Sequence, residues 1–258
     1  MSRRHLDGSA GDVNYGVIGG NYSSYRQPEP RIAARINEAL GDARRVLNVG
    51  AGTGSYEPLD REVTAIEPSA SMRAQRPPDL APALDAVAER IPFPENHFDA
   101  SMATFTVHQW SDLRAGLREM CRVTRGPVIV LTCDPDKVQQ FWLNNYAPAV
   151  LEAEARRYPA IGAIVADLGG AAEVHSVPIP LNCRDGFNEA YYGRPERLLE
   201  AGARSACSAW SFVEEALAEQ YVQHLRDDLA SGAWDQNFGH LRTQSEFDGS
   251  LRLIVARE

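Results

Sequence analysis

The 258 residues carry 26 Lys+Arg against 35 Asp+Glu, a formal charge of −9, with 44% hydrophobic and 24% charged residues. That is the make-up of one sizeable globular domain with room for insertions. A net negative surface is a poor match to nucleic acid or to an anionic membrane, and neither partner is expected.

The first twelve residues, "MSRRHLDGSAGD", have no apolar stretch, so no secretory signal is expected, and residues 1–20 are read as a flexible segment ahead of a single domain over 21–258. "PRIAARINEALG" places Ile32, Ile36 and Leu40 at helical spacing, with Pro30 at its start and Gly41 as its stop. "RRVLNVG" reads as a short buried strand and "EVTAIE" (62–67) as a second, followed by a short helix capped by Ser69. Segments 83–89 and 98–107 read as a third and a fourth strand. An amphipathic helix over 111–124 turns Leu113, Leu117, Met120 and Cys121 inward, and "GPVIVLTCD" (126–134) is a fifth strand. Strand and helix in alternation imply parallel pairing through right-handed crossovers.

After Asp134 the rhythm changes. Residues 137–172 are Ala-rich and read as helical, 173–183 as an edge strand carrying two prolines, and 195–229 as one long helix with Gly232 as its stop. "SLRLIVARE" closes the chain as a seventh strand. The stretches 137–172 and 187–245 look like additions around one sheet. Cys121, Cys133, Cys183 and Cys207 stand far apart with no C-x-x-C spacing. They are read as free thiols of a reducing cytoplasm, and no metal site is expected. No apolar run approaches the roughly 18 residues of a membrane span.

The chemistry concentrates after the first strand. In "VLNVGAGTGSYEP", Gly50, Gly52 and Gly54 alternate, so a ligand can touch main chain where a side chain would block it. Glu67 ends the second strand, where an acid can accept hydrogen bonds from ribose hydroxyls. A nucleoside is therefore expected. The dinucleotide fingerprint G-x-G-x-x-G would need a third glycine where Ser55 stands, which disfavours a nicotinamide-dependent oxidoreductase.

"VLNVGAGTG", "AIEPSASM", "AERIPFPENHFDA" and "HQWSDLRAGLREMCRVTRGPVIVLT" follow one another in an order and spacing that resembles the class I S-adenosylmethionine-dependent methyltransferases. The similarity is greatest to the type 11 group that includes the ubiquinone and menaquinone methyltransferases. It covers roughly residues 20–134 and the closing strand. The fold so implied is α/β and Rossmann-like: a doubly wound, mostly parallel seven-stranded sheet with an antiparallel C-terminal strand and helical lid insertions. The cofactor implied is S-adenosyl-L-methionine. By the same resemblance Gly50, Ala51 and Gly52 line the methionine half, Glu67 holds the ribose, and Met72 packs near the adenine. Ala88 and Glu89 border the adenine's amino edge, while Ala103 and Thr104 meet the methionine amino group. Val87 stands where many relatives carry an Asp, so adenine recognition falls to Glu89 or to backbone. Tyr25, with Tyr22 and Arg26, matches the segment that covers the cofactor, although aromatic residues ahead of a helix also simply pack the sheet.

His108 is the one residue of base type that the motifs place at the cofactor mouth, where it either removes a proton or shapes the pocket wall. Trp142, Tyr146, Tyr191 and Tyr192 are the aromatic residues expected to line an apolar acceptor pocket under the inserted cover. The expected activity is methyl transfer to a small molecule or a peptide end, on O, N or C, in secondary metabolism. The alternative is a relative that binds the cofactor without transferring methyl.

Overall fold

The computed structural model describes residues 22–257, so the flexible segment expected over 1–20 lies outside the described residues. Six strands make the main sheet: β1 (Arg45–Val49), β2 (Glu62–Ile66), β3 (Ala100–Thr104), β4 (Val128–Cys133), β5 (Glu173–Ser176) and β8 (Leu251–Ala256), in the order β2-β1-β3-β4-β8-β5. β6 (Ile179–Pro180) and β7 (Glu246–Phe247) form a small antiparallel pair of their own. β2, β1, β3 and β4 run parallel, while β8 is antiparallel to both β4 and β5.

The third expected strand, over 83–89, is reduced to one bridge, which leaves six strands in the sheet where seven were expected. Leu84 pairs in parallel with Ile66 alone, through Leu84 N to Ala65 O and Glu67 N to Leu84 O, each 2.9 Å. Segment 83–89 lies on the sheet's outer edge with Leu84 46% exposed, and so little apolar surface to bury does not hold a longer ladder.

Successive strand residues feed two cores, as the period of two requires. Val46, Met102, Ile129 and Leu131 point to one face, and Leu47, Ala103, Val128 and Val130 to the other. Helix α1 (Pro30–Leu40) packs Ile32, Ile36 and Leu40 on the first face, each burial stabilising by about 1.5–3 kcal/mol. α1 starts at Pro30 with Glu29 as its cap, accepting from the Arg31 amide at 3.2 Å, and stops at Gly41, φ 57°. On the second face lies α3 (Leu113–Val123), capped by Asp112, which follows the short α2 (Ala70–Ala74) capped by Ser69. Next come α4 (Pro148–Arg157), α5 (Ile161–Asp167) and α6 (Glu215–Ser231), which ends at Gly232 in the left-handed conformation.

The long helix expected over 195–229 is broken into Pro195–Leu199, Ala201–Ser205 and Ser208–Phe212 before α6 begins. A straight helix would set Leu198 roughly 120–140° around the axis from Ala203 and Trp210. The breaks let all three bury. Trp142, Tyr192 and Trp234 belong to the same apolar cluster as Ile129 and Leu131, so the inserted stretches share the core of the sheet.

Candidate functional site

The chain leaves buried β1 through Gly50 (φ 65°) and Gly52 (φ 54°), a region L side chains rarely adopt, and a Cβ on Gly50 would collide with Thr106 Oγ1. The turn is tied to β2 by one carboxylate. Glu67 Oε2 accepts from the Gly52 amide and Oε1 from the Ser69 amide, both at 2.8 Å. Burial pushes the Glu67 pKa up, and these two amides oppose the shift. An ionised carboxylate has about four acceptor positions, so the two amides leave room for two hydroxyl donors. Beneath the loop Glu57 takes a two-pronged bond from Arg76, at 3.0 and 2.9 Å, and one from Asn48 Nδ2 at 2.9 Å.

A cleft opens over this loop. Gly50, Ala51, Gly52, Glu67, Met72, Ala88, Glu89 and Thr104 all line it. Glu89 is there with its carboxylate engaged elsewhere: Oε1 accepts from Ser111 N, Ser111 Oγ and Asp112 N at 2.7, 2.7 and 3.0 Å, at the start of α3. Ala103 does not line the cleft but packs in the second core. Tyr25 does not line it either. Its ring packs on Gly202, where a Cβ would lie 2.5 Å from Tyr25 Cε2, and its hydroxyl donates to Glu200 Oε2 at 3.3 Å.

The residue that reaches over the cleft is the next one, Arg26. It forms an ion pair with Asp185 from the 183–196 loop and stands over the Phe105 ring, 5.3 Å from its centroid. Asp185 also accepts from the Tyr56 hydroxyl at 2.9 Å. The backbone repeats the link, through a bridge between Arg26 and Asp185 and a bond from Gly186 N to Tyr25 O at 2.8 Å. Tyr56 (φ 67°) and Phe105 (φ 52°) are bulky residues in the left-handed region, at a cost of about 1–3 kcal/mol each. Both face the cleft.

His108 lies beyond Phe105, in a second cavity that shares Arg26 and Phe105 with the cleft and adds Glu154, Tyr158, Phe187 and Asn188. Its Nδ1 is buried with no hydrogen-bond partner, and its ring sits 4.7 Å from that of Tyr158. Burial, and then the like charges of Arg157 and Arg26, hold the His108 pKa well below the ordinary range, so the imidazole is neutral. Glu154 accepts from Asn188 Nδ2 at 2.7 Å, and burial raises its pKa.

The four aromatic residues expected at the acceptor pocket line neither cavity. Trp142 Nε1 donates to the Tyr192 carbonyl at 2.9 Å, edge-on to Trp234. Tyr146 donates to Asp228 at 2.9 Å, Tyr192 to the Gln244 carbonyl at 2.6 Å, and Tyr191 lies under Arg194. All four are buried packing between the inserted segments and the sheet. Their aromatic surface is consumed in joining these layers. Asp134 caps the turn after β4, accepting from the Asp136 amide at 3.1 Å.

Tyr56, Phe105, Thr106, Trp110 and Asp185 line the cleft without having been singled out as cofactor contacts. One signal was readable: Gly116 sits inside an amphipathic helix, where glycine costs about 1 kcal/mol against alanine. The structure supplies its reason, since a Cβ there would lie 2.5 Å from the Trp110 ring.

A parallel sheet with its antiparallel strand inserted beside β4, carrying a glycine loop and an acid at adjacent strand ends, has the Rossmann-like architecture of a methyltransferase structure with which it superposes closely. Residues 47–131 match the type 11 methyltransferase domain family, a family whose cofactor is S-adenosylmethionine. The demethylmenaquinone methyltransferase of Corynebacterium urealyticum is 34% identical over 141 residues, 48% of this chain and 60% of that protein. The chain thus spans less than two thirds of this curated relative. A crystal structure from Anabaena variabilis, assigned as a methyltransferase from an antibiotic biosynthesis pathway, superposes with a TM-score of 0.84 at 28% identity, covering 91% of this chain and 99% of that one. A SAM-dependent methyltransferase of Thermotoga maritima shares the fold, with a TM-score of 0.50 at 15% identity over 94% and 92% of the two chains.

Proposed function

We propose that this chain transfers the methyl group of S-adenosylmethionine to a small-molecule acceptor, in the cytoplasm and as part of secondary metabolism. The observation that carries the reading is the cleft built on Glu67 and Gly52, in which the nucleoside-type acid and the bare loop are joined by a 2.8 Å hydrogen bond. The residues fit the cofactor: Glu67 retains acceptor positions for two ribose hydroxyls, and Met72, Ala88 and Trp110 offer apolar surface for a base. The bound cofactor would supply a methyl group already activated on a sulfonium.

What remains for the protein is alignment and dryness. The Arg26–Asp185–Tyr56 network closes one wall and limits water. Relatives support the acceptor class: one acts on demethylmenaquinone and another is assigned to antibiotic biosynthesis. All four cysteines are free. No helix among the described residues is long and apolar enough to cross a membrane.

The test has two stages. Calorimetric titration with S-adenosylmethionine and with NADH should show binding of the first alone. Incubation with methyl-labelled cofactor and a panel of phenols, carboxylic acids, amines and peptides should then give a product heavier by one methyl. Binding without any methylated product would favour a cofactor-binding relative that performs no transfer.

A further inference from the structure

We infer that Arg76, which lies outside the cleft, is a positioning residue for the cofactor: through Glu57 it sets the second half of the glycine loop and so the fit of the methionine end. The inference rests on the methyl-transfer reading and adds to it a residue that shapes the cleft without lining it.

The three alternating glycines do not share one reason. Gly50 and Gly52 line the cleft, and Gly54 does not. A Cβ on Gly54 (φ 95°) would lie 2.3 Å from Leu80 Cδ1 and 3.2 Å from Arg76 Nη1. The third glycine therefore opens the loop to segment 76–81, not to a ligand.

Arg76 uses that opening to tie three stretches of chain together. Its Nη1 and Nη2 donate to the two Glu57 oxygens at 3.0 and 2.9 Å, and its Nε and Nη2 donate to the Ala81 carbonyl at 3.1 and 2.9 Å. Glu57 also accepts from Asn48 Nδ2 on β1 at 2.9 Å. The two charged side chains are 3% and 1% exposed. The first half of the loop has anchors of its own, Ala51 N to Ile66 O at 3.0 Å and Gly52 N to Glu67 at 2.8 Å. Thr53, Ser55 and Tyr56 line the cleft between those anchors and Glu57. Tyr56 is tied through its hydroxyl to Asp185, and the backbone beside it through Glu57.

A buried ion pair is weak evidence for stability, because desolvating both charges offsets most of their attraction. What a planar guanidinium fork does provide is one fixed geometry, which a lysine does not reproduce. A loop that presents bare backbone to a ligand needs such support from the residues behind it. Arg76 reaches the site in a second way. Against the burial that raises the Glu67 pKa, its charge and that of Arg73 favour the ionised carboxylate. That influence is felt by any ligand that bonds Glu67 through a ribose, whereas loop placement matters only to one that carries the methionine half.

The probes are S-adenosylhomocysteine and methylthioadenosine, which share the nucleoside and differ in the amino-acid end. Each is titrated by calorimetry into wild type, Arg76→Lys and the double variant Glu57→Gln/Arg76→Met. The double variant removes both charges together and strands neither. Arg76→Lys keeps the charge and gives up the fork. S-Adenosylhomocysteine affinity should fall about ten-fold in the double variant and about five-fold in Arg76→Lys, the scale of one well-made hydrogen bond. Methylthioadenosine affinity should stay within about three-fold in both, because its contacts lie on the Glu67 side of the loop. Urea unfolding on the same samples shows which variants are folded, and Arg76→Lys alone decides the question if the double variant is not. A merely structural pair would lower both affinities by one factor or leave both unchanged, and either result in a folded variant would overturn the assignment. A wild-type protein that binds neither probe would instead overturn the reading beneath it.

Discussion

The Gly52 amide and the Glu67 carboxylate are joined at 2.8 Å, so the loop after β1 and the end of β2 form one unit. The same carboxylate takes the Ser69 amide and thereby also anchors the start of α2. Glu67→Ala removes the ribose acceptor and two internal bonds together. Cofactor affinity should fall by about 2–4 kcal/mol, and stability by about 1–3 kcal/mol. Calorimetry and urea unfolding on the same variant separate the two losses. The pKa of Glu67 is raised by burial, so it gains a proton at a higher pH than an exposed carboxyl. Cofactor affinity should therefore drop as pH falls through that raised value, because the protonated group has fewer acceptor positions.

Asp185 holds the cleft wall from the opposite side. Its side chain is 3% exposed and carries both Arg26 and Tyr56. Asp185→Ala removes the carboxylate from a half-buried guanidinium and the acceptor from the Tyr56 hydroxyl, a change that costs about 1–3 kcal/mol. Asp185→Asn keeps an acceptor for Tyr56 and should lose less. Thermal melts with and without S-adenosylmethionine should show both variants destabilised and the cofactor-induced rise in Tm diminished. An undiminished rise would show that the wall contributes nothing to cofactor binding.

Glu189 is buried and takes three bonds from Ser250, two from its amide at 3.0 and 2.9 Å and one from its hydroxyl at 2.7 Å. Burial, with the charge of Glu154 adding to it, pushes its pKa from 4.5 up to about 7. The protonated form is thus the one the fold prefers. The stability it contributes is complete below the ordinary value and is lost as pH rises through about 7. A shift of this size corresponds to about 3 kcal/mol. Glu189→Gln should flatten the pH dependence of urea unfolding between pH 5 and 8, and should be more stable than wild type at pH 8. A wild-type profile that is already flat would refute the assignment.

Trp142 and Tyr192 serve the core. Trp142→Ala and Tyr192→Ala should each lower stability by about 3–5 kcal/mol, the cost of emptying a buried aromatic position. Their cofactor affinity per folded molecule should remain that of wild type. Loss of acceptor turnover at unchanged Tm would instead return these residues to the acceptor site.

Much of the site was legible because it depends on local grammar. A bare loop after a buried strand and an acid ending the next strand are adjacent in any parallel β-α-β unit, so Gly50, Gly52 and Glu67 could be placed together from spacing. The side chains of Glu89 and Tyr25 were not legible in the same way. An acid beside the cleft can serve a ligand or cap a helix, and three donors at the start of α3 claimed the Glu89 carboxylate. Tyr25 turned instead to the notch left by Gly202, 177 positions further on in the sequence.

By itself, then, the sequence determined the parallel sheet, its antiparallel closing strand, the start and stop of α1, the Ser69 cap of α2 and the bare loop after β1. These follow from periodicity, capping residues and backbone freedom, all of which act over a few neighbouring residues. Only the tertiary structure decided that Arg26 meets Asp185 across 159 positions, that His108 faces a second chamber, and that the inserted aromatic residues fill the core. A buried aromatic ring gains as much by joining two layers of the core as by lining a pocket. Composition is the same in either case, and only the packing of distant segments selects between them.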